Sequence, residues 1–369
     1  MKDSAAAADA NEAAVVFMPD MRKSNPYQAR LAEALMKQGI AVAIKNYPPL
    51  FGLFFRQQNI YSSAVIIHLH WLDGLIGRAV YAHSGLRFKT WHALVAIDLY
   101  IFRLRGGRLF WTVHNLISHE CPNPSREKKM RRLIASYAEG IHFHSHSAVL
   151  RAEQAYSIRL QRKAIVAAHA SYHDDYPRDE SRSESLAVEA GIKPNNFTFL
   201  FFGNLRRYKG LEDLVAAFSQ LSGSHYRLLV AGAPFPGSSV DWLKDASGKD
   251  PRIRLRIGYV CDLDVAALFT VSDVLVAPYI ATLSSGVVSL GLTFGIPMVL
   301  PEAARIYDLP GEAGAEYFAP GQLPEALARV EKRDLSLMQA CNAKLGQSLT
   351  WKSMAETIAM AYQRGRSEH

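Results

Sequence analysis

Two segments in the second half of the sequence have the composition and order of phosphate-binding loops. The first is FLFFGNLRRYKGLEDLVAAF, residues 199–218, in which an apolar strand runs into Gly203 and Asn204 and then into a basic loop. Glycine lets the backbone approach a ligand closely, and Arg206 and Lys209 lie where a helix N-terminus also attracts anions. We interpret this segment as a diphosphate cradle; the alternative is an ordinary strand–helix turn with solvated basic residues.

The second segment is DVLVAPYIATLSSGVVSLGLTFGIPMVLPE, residues 273–302. Its strand ends near Tyr279, and a loop leads to three small residues that open an apolar helix, Ser284, Ser285 and Gly286. Small residues and hydroxyls at a helix start can donate several hydrogen bonds to phosphate oxygens. Serine as a simple helix N-cap is the alternative, but two anion sites in one domain favour a ligand.

Clustered histidines and one pair of aspartates raise the question of a metal site. Histidines alternate along two predicted strands, at His68 and His70 and again at His142, His144 and His146. No carboxylate or cysteine stands at a matching spacing, so we interpret these residues as histidines that are either solvent-exposed or buried in the core. Asp262 and Asp264 have the Asp-x-Asp form of a divalent-metal site, but they begin a helix, and capping explains them more simply. We expect no essential metal and no cofactor.

Alternating strands and helices place these motifs in two halves. Short, continuously apolar strands such as FTFLFFGN and IPMVLP alternate with amphipathic helices, which predicts α/β domains with parallel sheets covered on both faces. The polar stretch SYHDDYPRDESRSES interrupts this rhythm, which then restarts. The predicted divisions are a disordered tail at 1–12, an N-terminal Rossmann-like domain at 13–175, a linker at 176–195, a C-terminal Rossmann-like domain at 196–350 and a final helix at 351–369.

Charge is distributed unevenly over the 369 residues, whose formal net charge is +8. Residues 1–175 carry 22 Lys+Arg against 13 Asp+Glu, whereas residues 176–369 carry 20 against 21. A basic half suits anionic lipid, a phosphorylated acceptor or nucleic acid, with solubilising charge as the alternative. Three separated cysteines, with no secretory signal or transmembrane run, fit a reducing compartment.

The order of the motifs resembles that of the GT-B glycosyltransferases. FFGNLRRYKGLEDLVAAF followed by APY…SSG…GIPMV is similar to the donor-binding domain of the large family that includes bacterial mannosyl- and glucosyltransferases. SNPYQARLAEAL resembles that family's first loop and helix, and WTVHN its strand-end histidine motif. LTWKSMAETIAMAY resembles its final helix, which crosses back to the N-terminal domain. The resemblance implies two facing Rossmann-like domains with a cleft between them.

By this resemblance, the motifs bind a nucleoside-diphosphate sugar. Arg206 and Lys209 would contact the diphosphate, the helix start at 284–286 would hold the phosphates, and His114 would touch the donor sugar. The C-terminal domain would hold the donor, and the N-terminal domain would hold the acceptor.

The chain departs from the family at three positions. Retaining members carry two glutamates where this sequence has Thr282 and Leu290, and an arginine where it has Asn204. The pattern looks closer to the inverting β-mannosyltransferase of xanthan-type exopolysaccharide assembly, which acts on lipid-linked oligosaccharide. GDP-mannose is therefore the favoured donor.

Inversion requires a base that takes the proton of the acceptor hydroxyl. Three carboxylates of the first half follow strand ends and are candidates: Asp73 after HLHW, Glu120 after HNLISH, and Asp20. We favour Asp73. The alternative for any one of them is a turn or capping role.

Two aromatic and basic segments, YPPLFGLFFRQQ and GLRFKTWHALVAIDLYIFRLRGGR, are typical of helices that lie in a membrane interface. The residues predicted to contact the membrane are Phe51, Phe54, Phe55, Arg56 and Trp91. An apolar helix buried against the sheet is the alternative.

The sequence thus predicts a cytoplasmic glycosyltransferase, peripheral on the inner face of the membrane, that transfers a sugar from a nucleotide-sugar to a lipid-linked saccharide. We expect no nucleic-acid partner, because no nucleic-acid-binding motif is present. Two other functions stay open: a nucleotide-sugar epimerase on the same fold, and a non-catalytic protein that binds a membrane or nucleic acid.

Overall fold

The computed structural model of the chain describes residues 15–23, 25–47, 66–118, 121–173, 175–235, 239–279, 286–307 and 311–364. Contacts divide the chain into two compact units. We call them unit 1, which comprises Met1–His169 and Trp351–His369, and unit 2, which comprises Ala170–Thr350. Among the described residues, each unit contains one six-stranded parallel sheet, so the α/β class predicted from the alternation is confirmed.

The sheet of unit 1 consists of β1 (Val15–Met18), β2 (Val42–Ile44), β3 (Ile66–Leu69), β4 (Arg108–Thr112), β5 (Gly140–Phe143) and β6 (Ala164–Val166). The sheet of unit 2 consists of β7 (Phe197–Phe202), β8 (Tyr226–Gly232), β9 (Ile253–Ile257), β10 (Val274–Val276), β11 (Met298–Pro301) and β12 (Ala315–Phe318). The strand orders are β2-β1-β3-β4-β5-β6 and β12-β11-β10-β7-β8-β9. Central strands such as β1, β3 and β10 are buried throughout, because helices cover both faces of a parallel sheet.

Helices connect the strands in both units. Those of unit 1 are α1 (Tyr27–Met36), α2 (Asp73–Val80), α3 (Gly85–Leu104), α4 (Pro124–Tyr137) and α5 (His146–Tyr156). Those of unit 2 are α6 (Glu180–Glu189), α7 (Leu211–Ser219), α8 (Asp241–Lys249), α9 (Asp262–Thr270), α10 (Gly286–Phe294), α11 (Leu323–Val330) and α12 (Leu335–Ser348). Several starts are fixed by side chains; for example, Ser84 accepts a hydrogen bond from the Arg87 backbone N–H, 3.2 Å away, at the start of α3.

The last helix, α13 (Trp351–Arg364), belongs to unit 1 and packs on α1. Its buried face includes Met354, Ile358 and Tyr362. The Arg108 guanidinium of β4 donates to the Tyr362 carbonyl at 2.6 Å. An apolar stripe and one charged contact therefore attach the C-terminal helix to the first sheet.

Residues 176–195, predicted to be a linker, contain helix α6 of unit 2. Asp179 caps this helix by accepting from the Arg182 backbone N–H at 3.0 Å, and the helix packs on α9. Arg182 also donates to Asp264 at 2.5 Å. The segment is polar because only one narrow side of the helix, with Ser183 and Leu186, is buried. This composition explains why the sequence predicts a linker here.

Candidate active site

The predicted phosphate-binding loop of unit 2 folds tightly at the carboxyl end of β7. Gly203 has φ +113°, and a Cβ added there would lie 2.9 Å from the Nζ of Lys209. Gly210 has φ +67°, and a Cβ there would lie 2.4 Å from the carbonyl oxygen of Pro278, after β10. Only glycine fits both positions, so the loop is held against the ends of two neighbouring strands with the Lys209 ammonium beneath it.

Lys209 is a cation held out of water. Its side chain is 9% exposed, and its Nζ lies 5.0 Å from the ring centre of Tyr279. Burial, assisted by the charge of Arg206, lowers the pKa of Lys209 to about 8. Among the described residues, no carboxylate forms an ion pair with Lys209. A bound anion would supply the missing countercharge, which fits the predicted role in holding a diphosphate.

Arg206 is placed by a contact that the sequence did not reveal. Its guanidinium carbon lies 4.1 Å from the ring centre of Phe235, in the loop after β8. Backbone hydrogen bonds join the two loops at Leu205. The Leu205 N–H donates to the Ala233 carbonyl at 2.8 Å, and the Leu205 carbonyl accepts from the Phe235 N–H at 3.2 Å. The stack adds a cation–π attraction that holds the Arg206 guanidinium against the Phe235 ring.

The start of α10 lies near the same loop. Val287, on the first turn of α10, has its Cγ2 3.5 Å from the Cβ position built on Gly203. The helix N-terminus therefore adds its positive end to the two cations. Gly286 begins the helix, Tyr279 is buried and Asn204 is exposed. Ser284, Ser285 and Thr282 lie outside the described residues.

Leu290, at the position of the second family glutamate, is a buried residue of α10 with 6% exposure. An apolar side chain cannot accept hydrogen bonds from a ligand hydroxyl group. The departure noted in the sequence therefore has a structural counterpart, because this position is packed into the core of unit 2.

In unit 1, the favoured base Asp73 is the first residue of α2, just beyond β3. It is exposed, and its Oδ1 accepts a hydrogen bond from the Ser118 hydroxyl at 2.7 Å. The carboxyl edge of a parallel sheet is where such folds bind ligands. Asp73 thus combines an accessible carboxylate with a defined orientation.

Ser118 connects Asp73 to a buried ion pair that sequence reasoning missed. The Glu127 carboxylate accepts from the Ser118 N–H at 2.8 Å and pairs with Arg131 at 2.6 Å. Burial alone would raise the pKa of Glu127, but the Arg131 charge and hydrogen bonds hold it below its usual value. The available signal was the Glu–Arg spacing of four residues on a helix, which is too common to mark a site.

The other two base candidates differ from Asp73. Glu120 lies outside the described residues. Asp20 is paired with Arg22 at 2.7 Å, and the hydrogen bond from this guanidinium lowers the pKa of the aspartate. A carboxylate neutralised in this way is a weaker proton acceptor.

His114, after β4, lies in a cluster of imidazoles that surrounds Tyr27. The rings of this cluster are His68, His70, His114, His142, His144 and His169. His114 is 8% exposed and stacks on Trp71, with ring centres 4.4 Å apart and planes 6° apart. Its Nε2 lies 3.4 Å from the Nδ1 of His70. His68, His70, His142 and His144 therefore meet because neighbouring strands place them side by side. His146, predicted to continue the same strand, instead begins helix α5 and is exposed.

These histidines form a hydrogen-bonded chain and are held neutral. The His68 Nε2 lies 2.7 Å from the Thr112 hydroxyl, which lies 3.2 Å from the Nδ1 of His142. The His142 Nε2 lies 3.0 Å from the Ala167 carbonyl, so this nitrogen carries the proton. Burial lowers the pKa of His142 to about 4, and it lowers the pKa values of His68, His70, His114 and His144 well below the usual range.

Metal-ligand geometry is absent from the part of the chain that the structure describes. No group of three or more His, Cys, Asp or Glu residues is arranged there to hold a metal ion. Asp264, part of the Asp-x-Asp pair, is instead bound by Arg182 at 2.5 Å and by Arg256. Cys121 is also no reactive thiolate, because burial raises its pKa to about 11.

The residues predicted to contact a membrane divide into two groups. Phe51, Phe54, Phe55 and Arg56 lie outside the described residues. Trp91 is half-buried on α3, with the guanidinium carbon of Arg78 5.4 Å from its ring centre. Among the described residues, no helix is both long and apolar enough to span a bilayer.

Known proteins similar in sequence are glycosyltransferases. Residues 196–333 match the family model described as glycosyl transferases group 1. The chain is 24% identical over 278 residues to a GDP-mannose:glycolipid 4-beta-D-mannosyltransferase of Xanthomonas campestris pv. campestris, covering 75% of this chain and 70% of the relative. The match to the family model includes the predicted diphosphate cradle around Lys209.

Similar solved structures show the fold of the whole chain. The sucrose-phosphate synthase of Thermosynechococcus elongatus superposes with a TM-score of 0.73 at 14% identity, over 96% of this chain and 99% of the other. HepE of Anabaena, in complex with UDP, gives 0.69 at 17% identity over 95% and 99%. The chain is therefore a glycosyltransferase with the GT-B fold, and its residues 196–333 are similar to the glycosyl transferases group 1 model.

Proposed function

We propose that the protein transfers a mannosyl group, with inversion, from GDP-mannose to a hydroxyl of a lipid-linked saccharide in exopolysaccharide assembly, at the cytoplasmic face of the membrane. The observation that carries the donor half is the Lys209 ammonium, buried beside Arg206 and the start of α10. GDP-mannose and the glycolipid are the donor and acceptor named for the similar Xanthomonas mannosyltransferases, which align with three quarters of the chain.

In the proposed reaction, an acceptor hydroxyl oxygen bonds to the anomeric carbon of mannose while the bond from that carbon to the diphosphate oxygen breaks. The hydroxyl proton passes to the carboxylate of Asp73, which Ser118 orients through a 2.7 Å hydrogen bond. The charge that develops on the leaving GDP is stabilised by Lys209, Arg206 and the N-terminus of α10. Because side-chain cations and a helix terminus carry this charge, we propose that no divalent metal is required.

His114 is proposed to contact the donor sugar. Burial keeps its imidazole neutral, so that one nitrogen can donate and the other accept a hydrogen bond. Its stacking on Trp71 fixes the plane of the ring. A neutral and oriented imidazole suits recognition of a sugar hydroxyl better than proton transfer.

Nucleotide binding tests the donor site directly. We expect GDP to stabilise the wild type more than UDP, ADP or dTDP do, with or without divalent metal. At about 100 times the dissociation constant, the gain is roughly 2.7 kcal/mol in thermal unfolding. Lys209→Ala should lose this gain, whereas Lys249→Ala, at an exposed position on α8, should keep it.

Two outcomes would contradict the proposal. Equal stabilisation of wild type and Lys209→Ala by GDP would remove Lys209 from the site. Conversion of GDP-mannose to an epimeric nucleotide-sugar without acceptor would establish the alternative epimerase activity. The anomeric configuration of the product, measured by NMR, decides between inversion and retention.

A further inference from the structure

Helix α3 of unit 1 presents an apolar stripe to solvent. Leu86, Ala93, Ile97, Tyr100 and Leu104 are all exposed, and they recur every three, four or seven residues, which places them on one face of a helix. Leu86 is 76% exposed and Leu104 66% exposed. The stripe extends over about 27 Å at 1.5 Å per residue.

This exposure is concentrated in one region. Among the described residues, twelve large hydrophobic side chains are exposed, and five of them lie between Tyr81 and Leu104. The others are spread over both units, and exposed apolar residues that are scattered singly need no explanation. A row of exposed apolar residues along one face of a helix indicates a surface that contacts something apolar.

The opposite face of α3 attaches the helix to its unit. Phe88, Val95 and Leu99 are buried there, and α3 packs on α2 and α4. Both faces of the helix are therefore apolar, although only one is used in folding. The stripe is left over after the core of unit 1 is complete.

The border of the stripe is basic. Arg87, Lys89 and Arg103 are exposed on α3, and no ion pair involves them among the described residues. The neighbouring helices add exposed Arg78 from α2 and Lys129 from α4. The only carboxylate on α3, Asp98, is buried with 3% exposure.

We propose that this face of α3, with its apolar stripe and basic border, lies on an anionic lipid surface. The stripe would enter the interface while the cations meet lipid headgroups. A second copy of the chain would bring identical cations together, so charge favours lipid over self-association. This inference deepens the proposed action on a lipid-linked acceptor and depends on that proposal for its biological meaning.

Vesicle flotation with the full-length protein tests the surface. Wild type should bind phosphatidylcholine vesicles that contain phosphatidylglycerol. It should bind vesicles of pure phosphatidylcholine much less, and high salt should weaken its binding to the anionic vesicles. Ile97→Ser combined with Leu104→Ser should weaken binding at least tenfold. Val188→Ser combined with Leu337→Ser, exposed at 81% and 57% in unit 2, is the matched control and should bind like wild type.

Charge substitutions test the border separately. Replacing Arg87, Lys89 and Arg103 with glutamine should reduce binding about fivefold per cation and flatten its salt dependence. Glutamine at the exposed unit 2 residues Lys193, Lys244 and Lys249 changes the net charge equally and should have little effect.

Three results would overturn the proposal: wild type that does not float with anionic vesicles, α3 variants that float like wild type, or a dimer that dissociates in Ile97→Ser/Leu104→Ser and ignores vesicles. The assay contains neither donor nor acceptor. A protein that glycosylates a detergent-solubilised acceptor but ignores vesicles refutes the surface and leaves the transfer standing. Protein that binds the vesicles but does not glycosylate the solubilised acceptor supports the lipid-binding surface and contradicts the proposed transfer.

Discussion

The two units share one architecture but carry opposite electrostatics at the carboxyl edges of their sheets. In unit 2 this edge holds the buried cation Lys209 beside Arg206. In unit 1 it holds histidines that burial keeps neutral, together with the exposed carboxylate of Asp73. A cationic edge suits a diphosphate, and a neutral edge with a carboxylate suits a sugar and a proton. Function therefore follows from the side chains at the strand ends rather than from the fold.

Asp73→Asn gives the largest expected effect and tests whether the chemistry belongs to unit 1. Loss of a general base typically lowers kcat by about 10²- to 10⁴-fold. GDP binding, measured by calorimetry, should not change, because the proposed diphosphate site lies in unit 2. Glu139→Gln, which replaces the carboxylate that pairs with Arg108, is a control that should keep the wild-type kcat. Wild-type turnover in Asp73→Asn would transfer the role of base to another group.

Ion pairs in the two units should differ in their contribution to stability. Glu127 and Arg131 are 1% and 6% exposed, whereas Arg182 and its partner Asp264 are 25% and 11% exposed. Arg131→Met should lower the free energy of unfolding by about 3–5 kcal/mol, because it leaves a buried carboxylate unpaired. Arg182→Met should cost about 1 kcal/mol, since Arg256 still pairs with Asp264. Equal losses in urea denaturation would contradict this difference in burial.

Acid should weaken unit 1 through its histidines. An unfolded histidine takes up a proton near pH 6.5, but burial holds the pKa of folded His142 at about 4. Between these values the unfolded chain binds more protons, so stability falls as pH falls, by about 1.4 kcal/mol per pH unit for each such histidine.

His142→Gln should therefore show a shallower loss of unfolding free energy between pH 6.5 and 5 than wild type does. His225→Gln provides the control in unit 2, because His225 is 43% exposed. A parallel loss in wild type and His142→Gln would mean that His142 is not held neutral by the fold.

Local patterns predicted most of the fold and part of the site. Apolar strands and amphipathic helices predicted two parallel α/β halves, and glycine next to basic residues predicted a tight loop at a strand end around Lys209. The role of this loop as a diphosphate cradle stays a prediction. The sequence predicts a linker where the structure has helix α6, because the buried side of this helix is too narrow to give apolar residues at helical spacing.

Contacts between distant segments could not be read from sequence. Phe235 under Arg206, and Ser118 between Asp73 and Glu127, join residues from different loops. The sequence predicted a membrane-interface helix at α3 but not its exposed face, because a helix that is apolar on two faces does not show which face is covered until it packs.

The sequence by itself determined the elements, the glycines that permit tight turns and the types of residues available at each strand end, because these depend on neighbours along the chain. Only the tertiary structure decided which side chains meet and which lose their water. Parallel strand pairing brings His68, Thr112 and His142 into one chain, and burial then sets the pKa values of these histidines and of Lys209. Desolvation is a property of the packed environment, so it has no counterpart in the order of residues.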